Sequence, residues 1–358
     1  MGSIGNIVEE NNDACISALQ VCFGPVYSAV LNAAIELNLF DIIAKASSPF
    51  GVSASDIASQ LPKQHPELPR RLDRMLCLLV THSLLECSTH TNQNGVSERL
   101  FKLSPSGHYF VKVDNKSSLA FLSSFLSHRA IVDVFLNYKE ILLDFDKGVY
   151  EKVHGIPIYE GIPLDPTLNN VFNAAMANLC TIQMEKVLEI YKGFEGISLL
   201  VDVAGGIGRN LNMIISKYPS IKGINFDLPH VIQNAPTYPG IKKLGGNMFE
   251  GVPKGGDAIM LKAVLHNWSD EQCLKILRNC YNALPQNGKL ILVETIMPEE
   301  IHSTEAAKVV VGSDNIMLDG GLEKTQKEFE SLCKRSGFSD FQVVGCVLYG
   351  IGIMEFQK

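Results

Sequence analysis

The chain has 358 residues, 46% apolar and 19% charged, which is ordinary globular material in an amount that suits two domains. A net charge of -7 argues against nucleic acid as the main partner, because neutralising phosphates takes a basic surface. Nine cysteines, an odd number with no C-x-x-C pair, favour free thiols over a disulfide framework or a zinc site.

The opening MGSIGNIVEENNDAC is polar and acidic, with no apolar run of signal-peptide length. No stretch approaches about 18 uninterrupted apolar residues, so no membrane span is expected and the protein reads as cytoplasmic. VYSAVLNAAIELNLFDIIAKA carries apolar residues at helical spacing, and VSASDIASQL begins with serines suited to capping a helix. PRRLDRMLCLLVTHSLLEC reads as a third amphipathic helix running into a strand. NQNG at 92–95 then forms the turn of a β-ribbon with ERLFKLS.

Short helices followed by a ribbon suggest a winged-helix unit over residues 1–115. Arg70, Arg71 and Arg74 on the third helix would suit DNA, but the acidic balance and the apolar excess point instead to an interface between copies. Residues 116–165 read as a helical connection. From 166 to 358 apolar strands alternate with helices: SLLVDV, KGINFDL, KKLGGN, DAIMLKA, GKLILVE and a closing FQVVGCVLYGIGIMEF. That alternation predicts a parallel sheet covered on both faces, and the short glycine link in the last segment predicts an antiparallel terminal hairpin.

Two places in this half carry chemistry. LLVDVAGGIGRNL is a buried strand, a glycine-rich turn and a helix start, with Asp227 ending the next strand where a carboxylate can accept ribose hydroxyls. Both a nicotinamide dehydrogenase and an S-adenosylmethionine (SAM) methyltransferase fit that pattern. A-G-G-I-G-R is an imperfect pyrophosphate cradle, whereas a sulfonium cofactor needs only room beside the loop. LKAVLHNWSDEQC ends a strand on His266 and breaks at once into polar residues, as a base pointing into a cleft would. Glu294, ending GKLILVE, stands ready to hold the far nitrogen of that ring. GSDN at 312–315 has no clustered carboxylates around it, and no metal is expected.

LVDVAGGIGRNL, GINFDLPHVI, GGNMFEGVPKG, LKAVLHNWSDEQC, NGKLILVE and EKTQKEFESL together resemble the plant small-molecule O-methyltransferases of the caffeic acid/flavonoid type. The likeness runs over nearly the whole length, and within the family LNAAIELNLF, GRNL, KAVLHNWSDE and GIMEF look most like chalcone (isoliquiritigenin) 2'-O-methyltransferases. The resemblance implies an N-terminal, mostly helical winged-helix dimerisation domain, a homodimer, and a C-terminal Rossmann-like SAM domain. It puts Gly205, Asp227, Leu228, Asn247, Met248 and Lys262 around SAM. It makes His266 the general base, with Glu294 and Glu323 bracketing the imidazole. It gives Met176 and Met317 to the pocket of a small phenol, with Asn267 beside the base.

The chain departs from the family's pattern in three places. Ala204 and Asn247 replace a glycine and an aspartate, and the segment between Met317 and Glu323 is short. Ala263 and Gly161, where relatives acting on caffeate carry tryptophan and histidine, suggest room for a two-ring acceptor. A non-catalytic binding partner that kept the fold is the reading from another class.

Overall fold

The segment read as one helix over 26–46 is two. In the computed structural model, which describes residues 3–46, 48–91, 97–112, 117–143, 148–317 and 321–358, Asn38 takes a left-handed conformation (φ 55°) between helices. Asparagine tolerates that region better than most residues. The first elements are α1 (Ser3–Cys22), α2 (Gly24–Glu36) and α3 (Leu39–Lys45), then β1 (Val52–Ser53) and α4 (Ala54–Ser59). Ser53 and Asp56 cap α4 reciprocally, each side chain accepting from the other's backbone N–H.

Next come α5 (Leu68–Thr81), β2 (Leu85–Thr91) and β3 (Ser97–Leu103). Leu72, Leu76 and Leu79 lie on one face of α5 and are buried with Phe40, Ile57 and Phe101. β3 pairs antiparallel with β2 and with β1; the expected turn at 92–95 lies outside the described residues. α6 (Ala120–Leu126) and α7 (Arg129–Leu136) follow, then α8 (Tyr138–Leu143), α9 (Val149–His154), α10 (Ile158–Gly161) and the long α11 (Pro166–Ile190). The chain divides into two units, one of residues 1–136 and 162–179, the other of 137–161 and 180–358, so the division cuts α11.

The second unit is built on β4 (Leu199–Val203), α12 (Arg209–Lys217), β5 (Lys222–Asp227), α13 (Pro229–Asn234), β6 (Ile241–Gly245), β7 (Ala258–Lys262) and α14 (Asp270–Ala283). It continues through β8 (Lys289–Met297), α15 (Glu305–Asp314), β9 (Lys324–Thr325), α16 (Gln326–Ser336), β10 (Asp340–Val347) and β11 (Ile351–Gln357). The sheet order is β10-β11-β8-β7-β4-β5-β6, with β9 beside β8. Pairs from β6 to β8 are parallel; β11 runs antiparallel to β8 and to β10, as the sequence pattern predicted.

Alternation fixes the layers. Val201, Val203, Ile259, Leu261 and Leu292 face Leu277 of α14 and Phe329 of α16. Their neighbours Leu200, Met260, Ile291 and Val293 face Val187 of α11 and Ile214 of α12. Strand order reverses beside β4, which opens a crevice at the carboxyl ends of the strands. Among the described residues, no single helix is long and apolar enough to cross a membrane.

Candidate active site

The turn after β4 is shaped by close approach. A Cβ on Gly205 would stand 2.2 Å from Asn225 Oδ1 and 2.6 Å from Asp202 Oδ2, so only glycine fits. Gly206 and Gly208 take positive φ (58° and 81°), and so does Ala204 (56°), a conformation that costs an alanine about 1–2 kcal/mol. The glycine usual at this position in the family would be free of that strain.

Asp227 closes the turn from β5. Its Oδ2 accepts the Gly206 N–H at 2.7 Å and its Oδ1 the Leu228 N–H at 2.7 Å. Each oxygen keeps a lone pair for a hydroxyl donor. Leu228 is exposed and Met248 half-buried near the core, apolar surface of the kind an adenine needs. A carboxylate, a glycine turn and apolar flanks at the strand ends fit the nucleoside of SAM. Asp202, buried beneath the turn, has its carboxyl pushed up to about 7 by burial, with Lys262 pulling it down and Asp227 pushing it up. Asn247 spends its Oδ1 on the Phe249 N–H at 3.0 Å, as an aspartate there would.

Lys262 ends β7, nearly buried, with its ammonium donating to Gln183 Oε1 at 2.8 Å and to Cys180 Sγ at 3.6 Å. Gln183 also donates to the Tyr349 hydroxyl at 2.9 Å. Neither Gln183 nor Tyr349 was visible as a site residue. They lie 79 and 87 residues from Lys262, Gln183 in a weakly patterned helix, and no local signal would have found them.

His266 sits one turn past β7, in a 3-10 turn of Leu265–Asn267, before Ser269 caps α14 through a capping box with Gln272. The polar NWSDE after it is thus a helix start. Trp268 packs edge-on against Phe249, centroids 4.9 Å apart. His266 Nδ1 lies 3.2 Å from Glu323 Oε1, with the histidine side chain 18% and the glutamate 4% exposed.

Glu294 lies beside the ring, as expected, but its hydrogen bonds go to the backbone. Its Oε1 accepts the backbone N–H groups of Val264 and Leu265 at 2.7 and 2.8 Å, holding the turn that carries His266, and Glu323 takes the ring nitrogen. Burial raises the Glu294 carboxyl, against the pull of His266 and of the two N–H bonds. Burial lowers His266, but the Glu323 hydrogen bond and the charges of Glu294 and Glu323 outweigh it and the opposing Lys262, so the imidazole ends above its ordinary value.

One ligating atom from each of these three residues falls within 4.8 Å of the others. Asn267 is half-buried beside the base, and Met317 lies just past α15, its N–H donating to the Asp314 carbonyl. Met176 is half-buried in the first unit's part of α11. Gly161 does not widen anything: the Tyr150 ring occupies its side, 2.9 Å from where a Cβ would stand.

Residues 135–339 match the O-methyltransferase domain, and residues 19–113 the O-methyltransferase dimerisation domain. The chain belongs to the O-methyltransferase family. It is 45% identical over 357 residues to caffeic acid 3-O-methyltransferase of Catharanthus roseus, covering 99% of this chain and 97% of the relative. With esculetin O-methyltransferase of Kitagawia praeruptora it shares 46% over 354 residues, covering 98% and 96%. The fold is that of human N-acetylserotonin methyltransferase solved with SAM (TM-score 0.78, 20% identity, 96% and 97% covered). It is also that of the pyocyanin biosynthetic protein PhzM (TM-score 0.80, 21% identity, 97% and 99% covered). Membership of this family makes the chain a SAM-dependent O-methyltransferase and sets a nicotinamide dehydrogenase aside.

Proposed function

We propose that this O-methyltransferase methylates a phenolic hydroxyl of a phenylpropanoid or flavonoid, with His266 as general base, and that its preferred acceptor is a hydroxychalcone at the 2'-position. The carrying observation is the buried pair of His266 and Glu323 at the carboxyl end of β7, two strands from Asp227. A carboxylate only accepts, so Glu323 keeps the hydrogen on Nδ1 and leaves the lone pair on Nε2. A free phenol has a pKa of about 10, so a neutral Nε2 removing its proton is worth roughly 10² to 10⁴ in rate. Glu323 and Glu294 then stabilise the imidazolium that forms.

SAM supplies an electrophilic methyl on its sulfonium. Around it we assign Gly205, Asp227, Leu228, Asn247, Met248 and Lys262, with Met317 and Asn267 shaping the acceptor pocket. The organisation we propose keeps a dimerisation domain over 1–115, a helical connection over 116–165 and the SAM domain over 166–358. Ile16, Leu19 and Val21 in α1, Phe23 between the helices and Val26 in α2, each more than half exposed, support a homodimer through the first domain.

Exposed Ala263 and neutral Asn267 flanking the base favour a chalcone, whose 2'-hydroxyl is tied to its ketone and gains from an amide that both donates and accepts. The relatives' names make hydroxycinnamates and coumarins the competing acceptors. Side-by-side kcat/KM values for isoliquiritigenin and caffeate test this. A higher value for caffeate overturns the chalcone assignment.

A further inference from the structure

The stretch from Met317 to Glu323 is short, yet its last residue is within reach of the base. Several contacts press the end of this stretch against the turn carrying His266. A Cβ on Gly321 would stand 2.3 Å from the His266 carbonyl oxygen, so the strands of chain meet there only because the residue is glycine. The Leu322 N–H donates to that same carbonyl at 3.0 Å. The Lys324 ammonium donates to the Leu265 and Trp268 carbonyls at 3.4 and 3.3 Å. All of these tie the stretch to the turn itself.

A different bond fixes the peptide of Glu323. Its N–H donates to Asp314 Oδ1 at 2.8 Å. Asp314 is the last residue of α15, a helix anchored beside β8 through Val310, which is 2% exposed. The Glu323 carboxylate reaches Nδ1 at 3.2 Å, the long edge of a hydrogen bond, so a small rotation of its peptide breaks the contact.

We propose that Asp314 is a positioning residue for methyl transfer: by holding the Glu323 N–H it keeps the Glu323 carboxylate on the Nδ1 proton of His266. The inference rests on His266 as the base. Asp314 touches neither the ring nor the reacting atoms. The charged groups acting on His266 are Glu323 and Glu294, with Lys262 in opposition, and Asp314 is not among them. A change in the titration of His266 on losing Asp314 therefore comes through the place of Glu323. Asp314→Asn removes the charge and keeps the accepting oxygen, so it separates positioning from charge.

The test is an NMR titration of the His266 ring in the full chain, its signal identified by its loss in His266→Gln. It is run on wild type, Asp314→Ala, Asp314→Asn and Glu323→Gln, beside pH profiles of kcat/KM. Asp314→Ala is expected to lower the His266 pKa towards that of Glu323→Gln. Its kcat falls by roughly tenfold or more with KM for SAM unchanged, while Asp314→Asn behaves as wild type. Asp314→Leu replaces the alanine variant if that one fails to bind SAM. A wild-type titration in Asp314→Ala, alongside a lowered one in Glu323→Gln, overturns the proposal, as does an Asp314→Asn that matches Asp314→Ala. If Glu323→Gln leaves His266 unmoved, the pairing of base and carboxylate is what fails, and the role of Asp314 falls with it.

Discussion

Replacing Glu294 by alanine should unfold the catalytic unit more readily before it says anything about rate. Its Oε1 is the acceptor for two backbone N–H groups, those of Val264 and Leu265, both buried. A hydrogen bond to a charged acceptor is worth about 1.5–3 kcal/mol, so the two together come to roughly 3–6 kcal/mol. Part of that is returned, because a buried carboxylate also carries a desolvation cost, the same one that raises its pKa. A net loss of about 2–5 kcal/mol remains, out of a typical total of about 5–15. Glu294→Gln keeps the accepting oxygen and should stay within about 1 kcal/mol of wild type. Urea denaturation of the protein without cofactor, followed by the fluorescence of Trp268, reads this directly. That residue is the only tryptophan and lies in the same turn. An alanine variant as stable as wild type would show that Glu294 does not hold the turn.

Glu323→Gln should move the rising limb of kcat/KM to lower pH. The base works only when neutral, Glu323 holds its pKa up, and losing that charge lets it fall; a limb that stays put or moves up contradicts the pairing. Ala204→Gly relieves a left-handed alanine costing about 1–2 kcal/mol and returns up to about 1 as chain entropy, so a net gain of roughly 0.5–1 kcal/mol is expected in denaturation. A loss of stability would mean the methyl's packing outweighs the strain. Asn247→Asp keeps the bond to the Phe249 N–H and adds a charge, and should tighten SAM binding about fivefold, near 1 kcal/mol. An unchanged Kd in calorimetry removes the residue from the cofactor site.

Much of the sheet was legible because its strands are buried on both faces and read as unbroken apolar runs, from SLLVDV to GKLILVE. The capping serine of VSASDIASQL was legible for a local reason too, since its partner Asp56 is three residues away. The break at Asn38 was not, because the apolar spacing continues across a single residue with positive φ. Among the proposed site residues, Asp227 and Glu294 stood out because they end apolar runs, whereas Lys262 came only with the resemblance. Their partners did not. Glu294 looked like a ring partner because the sequence places it level with the base. Whether its oxygen turns to a backbone N–H or to an imidazole is decided by a turn of three residues. Gly161 looked like empty space for the same want of a third dimension, since the ring that fills it comes from Tyr150.

In the proposed reaction His266 takes the proton from a phenol that then receives the methyl of SAM. This is tested most directly by measuring methyl transfer from labelled SAM to a panel of hydroxylated chalcones, hydroxycinnamates and coumarins, with wild type and His266→Ala side by side and SAM affinity measured on both. Wild type is expected to give a labelled methyl ether and His266→Ala a rate at least about 100-fold lower, with SAM affinity retained. A variant that methylates as fast as wild type, or one that loses SAM along with activity, would contradict that role of His266.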